Sequence, residues 1–99
     1  MKLLSEKIEK VKKLCAAHNV ETMYLFGSAL TSNFKDNSDI DFLVKFKPAD
    51  LSGYFDNYLH FKIELASLLG RDVDLVEEQT LKNPVLIKSI NKNKELIYG

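Results

Sequence analysis

The stretch from Asp39 to Phe46 does most to restrict the fold. Ile40, Phe42, Val44 and Phe46 alternate with Asp41, Leu43 and Lys45, the two-residue period of a strand that lays one face on a core, and Pro48 closes it. On both sides the period becomes helical. Leu4, Ile8, Val11 and Cys15 predict an amphipathic helix over residues 3–18, with Asn19 as a left-handed stop. Leu51, Tyr54, Tyr58, Phe61, Leu65 and Leu68 predict a second helix over 51–69, ended by Gly70. A strand between two such helices is covered by them, which makes this an α/β chain.

Shorter signals fill in the rest. Residues 22–26 form an apolar run of strand formers that stops at Gly27-Ser28, a break followed by a helix-capping residue, and residues 33–38 are polar and turn-like. Residues 73–76 predict a third strand, Asn83-Pro84 a cap and first-turn proline before a helix through Leu86, Ile87 and Ile90, and residues 96–98 an edge strand. With 99 residues and no repeat or linker, the expectation is a single domain over 1–99, a small mixed β-sheet covered by helices.

Composition narrows the function classes. Fourteen basic residues balance fourteen acidic ones, so no overall positive field draws the chain to nucleic acid or an anionic membrane. Cys15 is the only cysteine, which excludes an internal disulfide and a cysteine zinc cluster and assigns it to a buried helix position. The N-terminal helix carries Lys2, Glu6, Lys7, Glu9, Lys10, Lys12 and Lys13, leaving no apolar run for a signal peptide or span, so a cytoplasmic location is expected.

The chemistry concentrates in one constellation. Gly27-Ser28 is followed after ten residues by Asp39-Ile40-Asp41, and Asp72 and Asp74 flank a further strand residue. Residues two apart in a strand point to one face, about 6.6 Å apart, so Asp39 and Asp41 can present hard oxygen donors of the kind Mg²⁺ takes. Ile40, Phe42 and Val44 hold that register, because a slip by one would bury the carboxylates. Two-metal phosphoryl transfer needs a further carboxylate nearby. Asp74, opposite in parity to Val73 and Leu75, supplies one candidate, and Asp72 shares its parity. The Gly27-Ser28 step lets backbone N–H groups and a hydroxyl approach phosphate.

Leu25-Phe26-Gly27-Ser28, then ten residues, then Ser38-Asp39-Ile40-Asp41-Phe42-Leu43-Val44 resembles the signature of the minimal nucleotidyltransferases, small relatives of DNA polymerase β. Gly70-Arg71-Asp72-Val73-Asp74-Leu75-Val76 resembles the segment with the family's third carboxylate, which favours Asp74 over Asp72. The resemblance spans residues 20–76. It implies the polymerase β-like fold, Mg²⁺ (two ions) at Asp39, Asp41 and Asp74, Asp74 also helping to activate the acceptor hydroxyl, and Gly27 and Ser28 holding the triphosphate of ATP or another NTP. It also implies an antitoxin role beside a helical HEPN toxin that receives AMP.

Many members continue Gly-Ser with an Ala-Arg-Gly step, where this chain has Leu30-Thr31-Ser32. Lys35, Lys45, Lys47 and Arg71 are the candidates to replace that arginine. The substitution favours a rival reading, an antitoxin or regulator with a degenerate site that acts by binding alone. Transfer to a small aminoglycoside-like acceptor is disfavoured, because a chain this short has no separate sugar pocket. The acceptor must then come from another chain, and self-association stays open. Each residue also has a plain role: Gly27 a turn, Ser28 a cap, His18 a helix-end partner, His60 packing on a helix. Tyr54, Phe55, Tyr58, Leu59 and Phe61 wrap more than one helix face, which fits either deep burial or a protein-binding surface.

Overall fold

The computed structural model describes residues 2–27, 39–48 and 51–99. The elements run α1 (Lys2–Glu6), α2 (Ile8–Ala17), β1 (Val20–Phe26), β2 (Ile40–Phe46), α3 (Tyr54–Leu69), β3 (Val73–Glu77), α4 (Pro84–Asn93) and β4 (Glu95–Tyr98). The strands form one mixed sheet in the order β3-β2-β1-β4, with β2 antiparallel to β1 and parallel to β3, and β1 antiparallel to β4. A parallel pair needs a crossover, and α3 provides it between β2 and β3. The expected edge strand at the C-terminus is β4.

The alternation in β2 decides which face carries the core. Ile40, Phe42 and Val44 are fully buried, and so are Val20, Met23, Phe61 and Leu65, which pack with them beneath α2 and α3. Burying a side chain such as Phe42 or Phe61 contributes about 2 kcal/mol. Leu43 is buried on the opposite face, where it shares a small cavity with Leu81, Ile87 and Ile90 of the α4 region. The sheet is therefore covered fully on one face and partly on the other, and Asp41, Lys45 and Asp74 lie on the partly covered face, whereas Glu77 lies on the face of α3.

The stop signals act as their chemistry predicts. Asn19 has φ 61, and Gly70 caps α3 in the left-handed region at φ 67. The Asn83 side chain accepts from the N–H groups of Val85 and Leu86 ahead of Pro84 at the start of α4. His18 ties the end of α2 to α3: its ring donates to the Leu14 carbonyl, its carbonyl accepts from the Asn57 amide, and Glu64 stands 3.4 Å from Nε2. Cys15 is buried, as a helix-face cysteine should be.

Three expectations need correction. The N-terminal helix is not continuous: Lys7 takes a single turn (φ −113, ψ 13), with its N–H on the Leu4 carbonyl and its carbonyl accepting from Val11. Leu4, Val11 and Cys15 all stay buried across it, so the apolar stripe survives the change in backbone. The second long helix starts at Tyr54, because residues Leu51–Gly53 form a 3-10 turn and glycine is a poor helix former. Within it Leu69 is buried and Leu68 only half-buried, a rotation of the inner stripe by one residue near its end. No helix among the described residues is long and apolar enough to cross a membrane.

Candidate active site

The site is built where the C-terminal end of β1 meets the N-terminal ends of β2 and β3. Sheet register sets its geometry. Asp41 is the Cα partner of Phe26 on β1 and of Asp74 on β3, so one row across three strands reads Phe26, Asp41, Asp74. Directly opposed residues share a face, and Ile40, Phe42, Val73 and Leu75 bury the other one. Asp41 and Asp74 therefore stand side by side on the partly covered face, Asp41 half-buried and Asp74 exposed.

Asp39 is exposed and precedes β2 by one residue; it is not part of the ladder. The Ile40 N–H donates to the Asp72 carbonyl at 3.0 Å, which locks the entry of both strands. Asp72 lies just before β3 and is exposed. The two candidates for the third carboxylate thus occupy different positions: Asp74 faces Asp41 in the ladder, while Asp72 serves it through its backbone. Ser28 lies outside the described residues, as do Lys35 and the Leu30-Thr31-Ser32 step.

Gly27 closes the row. Its φ is 77, which favours glycine, and a Cβ built on it would overlap the Asp41 carboxylate, which would have to shift to admit a side chain there. The result is a carboxylate pair with bare backbone against it. Among the described residues no group of three or more His, Cys, Asp or Glu is gathered closely enough to hold a metal ion alone. Two adjacent carboxylates fit Mg²⁺ nonetheless, since that ion keeps waters and takes only one or two carboxylates plus substrate phosphates. The Asp41 carboxylate packs directly on the Gly27 backbone, which fixes where its oxygens stand in the row.

The surroundings act on the pair. Burial first and the Asp74 charge second raise the Tyr58 hydroxyl above the ordinary tyrosine value of 10.0, which places that residue within the field of the site. Tyr58 donates to the Leu75 carbonyl at 2.7 Å. Of the basic replacements considered from sequence, Lys45 is paired with Glu21 at 3.4 Å, and the Lys47 N–H donates to the Asn19 carbonyl at the far end of the sheet. Sequence reasoning passed over Phe26, Tyr24 and Lys94. The first two share the face of Asp41 only once the β1–β2 register is known, and Lys94 reaches the sheet only through the path of α4.

This strand order and carboxylate row coincide with a family match over residues 9–99, to the family described as polymerase beta nucleotidyltransferase. The chain belongs to that family. It is a nucleotidyltransferase by that membership, and its relatives carry names to match. A Methanocaldococcus jannaschii protein named as a proposed protein adenylyltransferase is 36% identical, the alignment covering 99% of each chain. Among solved structures, a proposed minimal nucleotidyltransferase superposes with a TM-score of 0.78 at 30% identity, covering 94% of this chain and 91% of that one. The antitoxin complex with a tri-AMPylated HEPN toxin from Shewanella oneidensis superposes with a TM-score of 0.67 at 25% identity, covering 96% of this chain and 71% of that one. The polymerase β-like fold and the relationship to minimal nucleotidyltransferases, expected from the Gly-Ser and Asp-x-Asp motifs, are thereby established.

Proposed function

We propose that this nucleotidyltransferase moves AMP from ATP to a hydroxyl of a partner protein, and that the partner is a HEPN-type toxin it neutralises in the cytoplasm. The observation that carries the reading is the Asp41–Asp74 pairing next to the Gly27 backbone, two hard anionic donors directly opposed on one face of the sheet. The names of its relatives, a proposed protein adenylyltransferase and an antitoxin bound to an AMPylated toxin, supply the acceptor class.

In the proposed reaction Asp39, Asp41 and Asp74 would hold Mg²⁺, two ions in the full complement, and the backbone at Gly27 with Ser28 would hold the triphosphate. Mg²⁺, when bound, neutralises phosphate charge and polarises the α-phosphoryl group. Asp74 takes the proton of the acceptor hydroxyl as its oxygen bonds to the α-phosphorus. The bond from that phosphorus to the β-phosphate bridging oxygen breaks, and pyrophosphate leaves. Holding these groups in line is the protein's main contribution.

The test is incubation of the purified chain and its toxin with ATP labelled at the α-phosphate. Label on a toxin tyrosine, serine or threonine, absent with Asp41→Asn, supports the reading; an unlabelled toxin that is still neutralised sinks it. The second outcome is what the rival predicts, a chain acting by binding alone, and Leu30-Thr31-Ser32 in place of an arginine step is the feature that favours that rival.

A further inference from the structure

We infer that Lys94, at the end of α4, is a triphosphate-binding residue of this site. The inference rests on the nucleotidyl transfer proposed above and adds to it a contact that no motif marks.

The path of α4 brings the lysine there. The chain leaves β3 at the end of the sheet away from the carboxylates before it enters α4, and β4 then runs antiparallel to β1 with Glu95 opposite Leu25 and Leu96 opposite Tyr24. Lys94, the junction between the two, is therefore delivered to the carboxylate end. Its Nζ lies 4.2 Å from the centroid of the Tyr24 ring. Tyr24 is the Cα partner of Leu43, one step along the same face from the Phe26–Asp41 pair. Two residues of rise and one strand spacing put the Tyr24 and Asp41 Cα atoms about 8 Å apart. The residue that carries the Lys94 ammonium and the carboxylate that would hold Mg²⁺ thus start from backbone positions about one triphosphate length apart on the same face.

Charge and burial support the assignment. Lys94 is half-buried and forms no ion pair among the described residues, so stacking on Tyr24 fixes its position without neutralising it. Residues 81–94 contain Lys82, Lys88, Lys92 and Lys94 and no acid. The C-terminus of a helix on its own repels anions, so an uncompensated lysine there offsets an obstacle to phosphate. Among the described residues, the other candidates have partners or positions of their own. Lys45 is paired with Glu21, Lys47 is at the far end, and Arg71 is half-buried in the bend after α3, with its N–H on the Ala66 carbonyl.

Calorimetric titration with a non-hydrolysable ATP analogue in Mg²⁺, and separately with AMP, tests this on the full chain. Lys94→Met keeps the apolar stem on Tyr24 and loses the charge; Lys94→Gln is a second variant, and thermal melting checks the folding of both. The expectation is a loss of about tenfold or more for the triphosphate, as for a charged hydrogen bond, with AMP binding unchanged and Lys94→Arg close to wild type. Wild-type affinity for the triphosphate in Lys94→Met, with binding abolished in Asp41→Asn, overturns this assignment and leaves the nucleotide site standing. Equal losses for AMP and triphosphate overturn it in favour of a structural lysine. No binding by the wild-type chain overturns the site and the lysine together.

Discussion

Gly27 backs directly onto the Asp41 carboxylate, with no space for even one additional carbon between them. A left-handed residue thus touches the acid on which the sheet's charged row is centred. Gly27→Ala should cost about 1–2 kcal/mol for an L-residue held at positive φ. It should also displace the Asp41 carboxylate. Thermal melts would read the first effect and Mg²⁺-dependent binding of an ATP analogue the second. A variant that binds normally would mean that the Asp41 position tolerates displacement.

Asp41 and Asp74 are like charges directly opposed in a ladder, an arrangement that destabilises a sheet in the absence of a cation. Asp74→Asn should therefore raise the stability of the metal-free chain by about 0.2–1 kcal/mol and eliminate AMP transfer. Wild-type chain should gain stability on addition of Mg²⁺, and the variant should gain less. Asp72→Asn, which leaves the Asp72 carbonyl on Ile40 intact, should affect both quantities little. If Asp72→Asn proves to be the inactivating change, the third carboxylate has been assigned to the wrong strand position.

Tyr58 protects an edge. The Asp72 carbonyl faces β2, so by alternation the Leu75 carbonyl points away from it to the open side of β3, where the Tyr58 hydroxyl occupies it. Tyr58→Phe should lower stability by about 0.5–1.5 kcal/mol, the worth of one hydrogen bond, with the fold retained. Urea denaturation measures this, and an unchanged midpoint would show that water replaces the hydroxyl without loss.

The elements that could be read from the sequence are those whose local and global signals agree. β2 announced itself because Ile40, Phe42 and Val44 need one face buried, and α3 because Phe61 and Leu65 need the same core. The Asp41–Asp74 pairing was accessible as parity but not as contact, since register between separated strands depends on the whole sheet. The break at Lys7 left no trace, because the apolar stripe passes through it. Aromatic residues on α3 were ambiguous for a related reason: Phe61 is buried, Tyr54 and Tyr58 are half-buried with their hydroxyls bonded, and Phe55 is 69% exposed. Lys94 escaped notice because its importance depends on where α4 ends in space.

The last prediction concerns pH. Burial raises the Glu77 carboxyl above its ordinary 4.5, although the Tyr54 hydroxyl donates to Oε2 and favours the charged form. A carboxyl whose folded pKa is raised holds its proton more tightly in the native chain than in the unfolded one. Its contribution to stability is then complete below about pH 4.5 and is lost as pH rises through the higher folded value. Glu77→Gln removes that titration and keeps an oxygen that can accept from Tyr54. Denaturation midpoints of the two proteins should nearly coincide at pH 4, and the variant should become progressively more stable than wild type as pH rises toward 7. Parallel profiles over that range would show that Glu77 titrates alike in the folded and unfolded chains, leaving the Tyr54 hydrogen bond to offset its burial in full.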